Sequence, residues 1–235
     1  MEKLKAEIHQ IWTESKSRYG APKIRKILTD CGIKVSIKRA MGIRSIVVKK
    51  FRYHSEKVTS DDKENILNRD FKTTGINQKW CTDITYIYTI KDGWTYLASV
   101  MDFHSKKIIG YAYGTSMTAE LAVKAVKNAC MNVRDTKGIV LHSDLGTQYT
   151  SHLFEDYLSS KEITHSFSRK GNPYDNACIE SFHSILKKEE VNHHRYFDFN
   201  VARKVIFEYI ESWYNSKRIH GAINYMTPQA AHEAA

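Results

Sequence analysis

Trp80-Cys81-Thr82-Asp83-Ile84-Thr85-Tyr86-Ile87 is a run of β-branched and aromatic residues with one carboxylate set in it, the composition of a strand. Asp144 ends a second apolar run, Ile139-Val140-Leu141-His142-Ser143-Asp144, just ahead of Gly146, and is expected to sit on a strand as well. A third acid, Glu180, follows after 35 intervening residues in Asn172-Pro173-Tyr174-Asp175-Asn176-Ala177-Cys178-Ile179-Glu180-Ser181-Phe182. Pro173 and an N-capping Asp175 predict a helix start there. In that helix Ile179, Phe182, Ile185 and Leu186 recur at helical spacing as a buried face, while Asn176, Glu180, His183 and Lys187 stand on another. Glu180 is thus expected to point away from the helix's own core contacts, toward a site.

Three carboxylates carried by two strands and a helix can hold two divalent ions about 3.5–4 Å apart, the arrangement phosphoryl transfer uses for its attacking and leaving oxygens. Hard oxygen ligands favour Mg²⁺ or Mn²⁺. A single Asp on a strand reads as readily as a surface or turn residue. What raises these three above that reading is their company: Leu145-Gly146-Thr147-Gln148-Tyr149 follows Asp144, and Asn172 to Asn176 precede Glu180.

Around the acids, the pattern predicts a turn at Asp92-Gly93, strands at Trp94–Phe103 and Lys107–Tyr113, and a helix from about Thr118 to Met131. That helix presents Leu121, Ala122, Ala125, Val126 and Ala129 on one face. The Asp144 strand comes next, then a helix at His152–Ser160, a strand at Ile163–Phe167 and the Glu180 helix. Beyond them, Asn200–Tyr214 carries Val201, Val205, Tyr209 and Trp213 at four-residue spacing, with Ile206 and Ile210 beside them, an amphipathic helix expected to pack on the core. The cluster Arg218, His220 and Tyr225 reads either as a DNA contact or as a pin for the tail.

Charge divides the chain. Residues 1–57 hold 15 Lys and Arg against 5 Asp and Glu, a net of +10 that equals the total for all 235 residues, so the rest is balanced. A basic segment of this kind reads as a nucleic-acid surface, set against the plainer reading of a soluble charged helix. Leu4, Ile8, Ile11 and Trp12 mark a first helix, Tyr19-Gly20 a turn, and Pro22 with Ile24, Ile27 and Leu28 a second. Cys31-Gly32 ends it, and Ser36 to Arg39 open a third, a helix-turn-helix-like grammar. Arg18, Lys23, Arg25, Lys26, Lys38 and Arg39 are its candidate DNA contacts. The domain reading is therefore a basic module over 1–46, a polar linker over 47–77, a catalytic core over 78–190 and a C-terminal helical extension over 191–235. Cys31, Cys81, Cys130 and Cys178 form no paired framework, which argues against a zinc finger or disulfide scaffold and for reduced thiols. His193-His194 on a charged stretch reads as solvent-facing. With no apolar run of membrane-spanning length and no signal peptide, a cytoplasmic protein is expected.

The motifs W-x-x-D-I-T-Y, H-S-D-x-G-x-Q-Y and G-N-P-x-D-N-A-x-x-E-S-F, with Lys187 seven residues after Glu180, resemble those of the insertion-sequence-three family of bacterial transposases. Tyr19-Gly20 with Lys23-Ile24-Arg25 is similar to the family's N-terminal module. Trp213-Tyr214-Asn215, Arg218-x-His220 and Tyr225-x-Thr227-Pro228 are similar to its closing motif. The resemblance implies an α/β, ribonuclease-H-like (retroviral integrase-like) mixed sheet flanked by helices, an order of elements that the strand and helix pattern matches. It implies that Asp83, Asp144 and Glu180 form the catalytic triad around two Mg²⁺ or Mn²⁺ ions, and that Lys187 contacts terminal DNA near the scissile phosphate. Asn176 and His142 are candidates for contacts to DNA or to the triad. The implied activity is cleavage and joining of double-stranded DNA at the terminal inverted repeats of a mobile element, by a homo-oligomer on paired ends. An upstream reading frame would supply a further DNA-binding protein, by fusion or in partnership. One departure stands out: the segment after Arg39 is about one helical turn shorter than the family pattern. A structure-specific nuclease that does not join, and a DNA-binding regulator that does not cut, are the alternative readings.

Overall fold

Alternating residues from Trp80 onward build strand β1 (Lys79–Thr89), which turns at Gly93 into β2 (Gly93–Asp102) and then β3 (Ile108–Gly114). The computed structural model describes residues 2–36, 45–47, 64–68, 70–169 and 176–235. They fall into two compact units, a larger one of residues 53–186 with 194–235 and a smaller one of 1–52 with 187–193.

In the larger unit, helix α3 (Ala119–Cys130), strand β4 (Val140–Ser143), helix α4 (His152–Ser160), strand β5 (Thr164–Phe167) and helix α5 (Ala177–Glu189) follow the hairpins. The strands form one mixed sheet in the order β3-β2-β1-β4-β5. β1, β2 and β3 are antiparallel, while β4 is parallel to both β1 and β5. The expected fold class is therefore the observed one.

One face of the sheet takes α3. Leu121, Ala122, Ala125, Val126 and Ala129, the face read from the sequence, are all buried against Trp80, Ala98, Val100, Ala112 and Leu141. Small residues set how closely helix and sheet approach. A Cβ on Gly110 would lie 2.5 Å from the Ala125 carbonyl oxygen and 2.7 Å from Ala129 Cα, so only glycine fits there. The helix is capped by the Thr118 hydroxyl, which accepts the Leu121 N–H. On the opposite face, Ile179, Phe182 and Leu186 of α5 are buried, and Phe182 meets Tyr214 edge-on at 4.7 Å. Ile185 is only partly covered. Between β2 and β3, the buried Asp102 carboxylate accepts the N–H groups of Asn77 and Ser105 and the Ser105 hydroxyl, each at 2.8 Å.

Two sequence expectations are corrected in this unit. The stretch 47–77, expected to be a linker with little packed structure, is laid against the core where it is described within the unit. Leu67 is buried, its N–H donates to Ser166 Oγ at 2.9 Å, Phe167 donates to the Glu64 carbonyl, and Phe71 packs on Phe103. Isolated apolar residues in polar surroundings carry no periodicity to reveal this. The second correction concerns the C-terminal helix. It is helix α6 (Phe199–Glu208) continued by a π-helical segment, Tyr209–Asn215, and its buried seam is Ala202, Ile206, Tyr209, Ile210 and Trp213, while Val201 is exposed. A stripe at strict four-residue spacing drifts by about 40° per step around a helix of 3.6 residues per turn, so Val201 and Trp213 cannot share a seam.

The smaller unit contains α1 (Glu2–Glu14) and α2 (Ala21–Asp30). Ile8, Ile24 and Leu28 are its buried apolar residues, with Tyr19 at the connection and Pro22 in the first turn of α2. Gly32, at a φ of +81°, follows the helix end, a left-handed position that suits glycine. Of the third helix expected to open at Ser36 to Arg39, residues 37–39 lie outside the described residues. All four cysteines are free thiols, and among the described residues no helix is long and apolar enough to cross a membrane.

Candidate active site

Parallel pairing of β1 with β4 runs from Lys79–Val140 to Cys81–His142. Asp83 stands two residues beyond the last pair on one chain, and Asp144 two residues beyond it on the other. The strand expectation holds for Asp83, while Asp144 comes one residue after β4 ends at Ser143. The turn that follows explains why. Asp144 Oδ1 accepts the Gly146 N–H at 2.9 Å, and a Cβ on Gly146 would lie 2.9 Å from that same oxygen. Asp83 Oδ1 is held locally too, by the Ile84 N–H at 2.8 Å.

The two aspartates repel each other across a partly dry space. Burial first, and then the charge of Asp83, push the Asp144 carboxyl up to about 6, the Gly146 N–H pulling it down and the charge of Glu180 raising it further. The same field reaches Tyr149, whose phenol is fully buried with its oxygen 3.3 Å from Thr82 Oγ1. Burial, and after it the charge of Asp83, hold that phenol well above its usual range. Two carboxylates that cannot both ionise without cost form a site in need of positive charge.

Glu180 lies on the first turn of α5 and is exposed. Its N–H donates to the Asn176 carbonyl at 3.2 Å. Asn176 itself is buried, and among the described residues its Oδ1 has no hydrogen-bond partner. One turn after Glu180, the buried His183 places Nδ1 3.4 Å from Asp83 Oδ2 and Nε2 3.4 Å from Ser99 Oγ. The first turn of α5 is further tied down by Cys178, whose sulfur accepts a hydrogen bond from Lys106 Nζ at 3.4 Å and lies 3.7 Å from Met101 Sδ.

Among the described residues, no three His, Cys, Asp or Glu side chains are gathered tightly enough to hold a metal ion as they stand. The chemistry of the donor set still suits a hard divalent cation. It consists of carboxylate oxygens, one of them, Asp144, raised by burial and then by the charge of its neighbours, with a buried acceptor that lacks a donor at Asn176, just ahead of the Glu180 helix.

A family model described as "Integrase core domain" matches residues 73–173, and a second with the same description matches residues 161–228. The transposase for insertion sequence element IS904 of Lactococcus lactis is 38% identical over 97% of this chain and 91% of its own length. Transposase InsF for insertion sequence IS3A of Escherichia coli K12 is 36% identical over 93% of this chain and 78% of its own. The chain belongs to the insertion-sequence-three family of transposases. Two solved structures share the fold of this transposase. The HTLV-2 integrase catalytic core domain, solved in complex with magnesium, superposes with a TM-score of 0.52 at 18% identity, covering 68% of this chain and 99% of that one. A chain of the simian T-cell lymphotropic virus intasome, solved in complex with PP2A regulatory subunit B56 gamma, gives 0.58 at 16% identity over 97% of this chain and 75% of that one.

Of the residues singled out in the transposase sequence, Asp83 and Glu180 lie on the strand and the helix expected to carry them, Asp144 one residue past β4 and Asn176 one residue ahead of α5. Lys187 follows on α5, about two turns after Glu180. His142 pairs with Cys81 across the β1–β4 seam but is no candidate for a DNA contact. It is fully buried between Ser166 Oγ and Ser168 Oγ, 3.0 Å from each, where it staples β4 to the end of β5 and is closed to DNA. Arg18 is also withdrawn from the DNA-contact set. It is buried, its Nη2 lies 2.6 Å from Glu190 Oε2 and its Nε donates to the Glu189 carbonyl, so its charge is spent inside the smaller unit. In that unit Lys23 lies over the Tyr19 ring at 4.7 Å, Lys26 pairs with Asp30, and Arg25 is exposed. Lys38 and Arg39 lie outside the described residues. The tail cluster resolves toward pinning, with Arg218 buried and its guanidinium 5.9 Å from the Tyr214 ring centre. His183 and Tyr149 were missed as site residues, although both lie inside the quoted motifs or on the Glu180 face.

Proposed function

We propose that this transposase cuts double-stranded DNA at the terminal inverted repeats of its insertion sequence and joins the freed ends to another strand, with Asp83, Asp144 and Glu180 as its catalytic triad. The observation that carries the reading is the convergence of Asp83 and Asp144 just beyond the last β1–β4 pair, with the charge of Glu180 felt at Asp144. When bound, two Mg²⁺ or Mn²⁺ ions would lower the barrier for the attacking oxygen and stabilise the leaving one. Asp83 and Asp144 would hold them from the sheet and Glu180 from the helix. In the first step water attacks a phosphodiester at the element end, and the bond to the 3′-oxygen breaks. In the second, that 3′-hydroxyl attacks another phosphodiester in line, forming a new phosphorus–oxygen bond as the 3′-oxygen of the attacked strand leaves, so no covalent enzyme intermediate forms.

Lys187 would neutralise a phosphate near the scissile position. Lys23, Arg25 and Lys26, with Lys38 and Arg39, would supply sequence-independent affinity from the module over residues 1–46. The working form would be a homo-oligomer on paired ends in the cytoplasm, together with an upstream-frame DNA-binding protein. Labelled element-end DNA incubated with Mg²⁺ or Mn²⁺ tests the reading, comparing the parent chain with Glu180→Gln. Joined products that disappear in Glu180→Gln support it. Cleavage without joining would leave a nuclease, and retained binding without reaction would leave a regulator.

A further inference from the structure

We propose that His183 is a positioning residue for the first aspartate: its imidazole, held between Ser99 and Asp83, sets the orientation of the Asp83 carboxylate and locks strand β1 to the helix that carries Glu180. The inference rests on the reading of Asp83 as a metal-holding residue given above.

The geometry is specific. Asp83 Oδ1 is already engaged by the Ile84 N–H, a contact within its own strand that leaves the carboxylate plane free to swing about it. Oδ2 is the second point, and His183 Nδ1 lies 3.4 Å from it. A carboxylate oxygen only accepts, so an imidazole facing it presents a protonated Nδ1. In the neutral ring, Nε2 is then an acceptor and the Ser99 hydroxyl donates to it across 3.4 Å. Ser99 is paired with Asp83 in the β1–β2 register, so the relay returns to the strand next door rather than to solvent. Both His183 and Ser99 are buried, which keeps water from substituting for either partner.

The placement on α5 gives the contact its second effect. Glu180 and His183 are three residues apart, on adjacent turns of one helix face, and the same helix buries Ile179, Phe182 and Leu186 against the sheet. A carboxylate from the sheet and a carboxylate from the helix are thereby set in one relation before any ion arrives. Outer partners of this kind orient ligands, and losing one weakens metal affinity by about 10–100-fold.

The test is a Mn²⁺ titration of the full chain without DNA, read as the metal concentration giving half-maximal thermal stabilisation. His183→Ala is expected to raise that concentration about 10–100-fold. His183→Asn, which keeps a donor toward Asp83, should recover part of the loss. Ser99→Ala, which frees only the far side of the ring, should give a smaller rise in the same direction. An unchanged midpoint in a folded His183→Ala protein, or Asn performing no better than Ala, overturns the proposal. Should His183→Ala fail to fold, an unchanged midpoint in Ser99→Ala overturns it instead. Asp83→Asn separates the two levels. If it abolishes the Mn²⁺ response while His183→Ala leaves it intact, only the positioning role falls; if it changes nothing, the metal-holding reading of Asp83 falls, and the positioning role with it.

Discussion

The side chain of Asn215 closes both backbone groups of Ile108: Nδ2 donates to the Ile108 carbonyl and Oδ1 accepts its N–H, each at 3.0 Å. One amide side chain thus does for the outer edge of β3 what a neighbouring strand would do. Asn215→Ala removes two hydrogen bonds and leaves a buried N–H and C=O without partners, a loss of roughly 2–4 kcal/mol. Equilibrium urea unfolding should show it as a lower midpoint, and Asn215→Asp, which keeps the acceptor and loses the donor, should be destabilised as well. A midpoint unchanged in the alanine variant would mean that the contact contributes nothing to stability.

Asp144 makes stability and metal binding depend on pH in opposite senses. Its carboxyl is pushed up to about 6 from an ordinary value of 3.8, so the folded metal-free protein holds that proton more tightly than the unfolded chain. The contribution is stabilising below about pH 4 and is lost as pH rises through about 6. At pH 7–8 the ionised, partly buried carboxylate costs on the order of 2 kcal/mol. Asp144→Asn should therefore melt higher than the parent at pH 8 without divalent ions, with the difference gone near pH 4. Mn²⁺ stabilisation of the parent should weaken as pH falls through 6, because the proton competes for the same oxygen. Parallel melting curves for parent and variant across this range would contradict the assignment.

Arg18 and Arg25 should part company on substitution, although both are cations of the basic module. Arg25→Ala should lower DNA affinity by a similar factor for every sequence and reduce the slope of log affinity against log salt by about 1, with melting unchanged. Arg18→Ala breaks the buried ion pair with Glu190, which costs about 3–5 kcal/mol and should appear as lost protection of amides in the smaller unit. Salt titrations of binding and hydrogen exchange distinguish the two. Equal effects of both variants on the salt slope would return Arg18 to the DNA surface.

Reading the sequence was most successful where one chemical requirement repeats at short range. The β-branched run at Trp80–Ile87, the alanine-lined face of α3 and the Ile179–Phe182–Leu186 seam of α5 each declare a period and a burial in a single stretch, and each is where it was expected. What stayed hidden depends on partners far along the chain. Arg18 looks like any surface arginine until Glu190 is placed beside it, 172 positions away. His142, two positions before Asp144, reads from spacing alone as a contact to DNA, but Ser166 and Ser168 from the next strand and the turn after it enclose it completely. His183 was placed on the Glu180 face by helical spacing alone. Its meeting with Asp83 and Ser99 depends on strand register and on how α5 lies across the sheet, neither of which is written locally. In α6 the four-residue stripe drifts around the helix, so Val201 falls outside the seam that Ile206, Tyr209, Ile210 and Trp213 share.

The adjacency of β1 and β4 also orders events in time. β1, β2 and β3 are joined by short turns and can pair as soon as they are made. β1 gains its other neighbour only after Val140–Ser143 has been synthesised, and such a long-range parallel pairing is slow to close. Glu180 emerges later still. If the chain folds as it is made, Asp83 stands on an open sheet edge until β4 pairs, and the three acids of the proposed triad would meet only when the core is nearly finished.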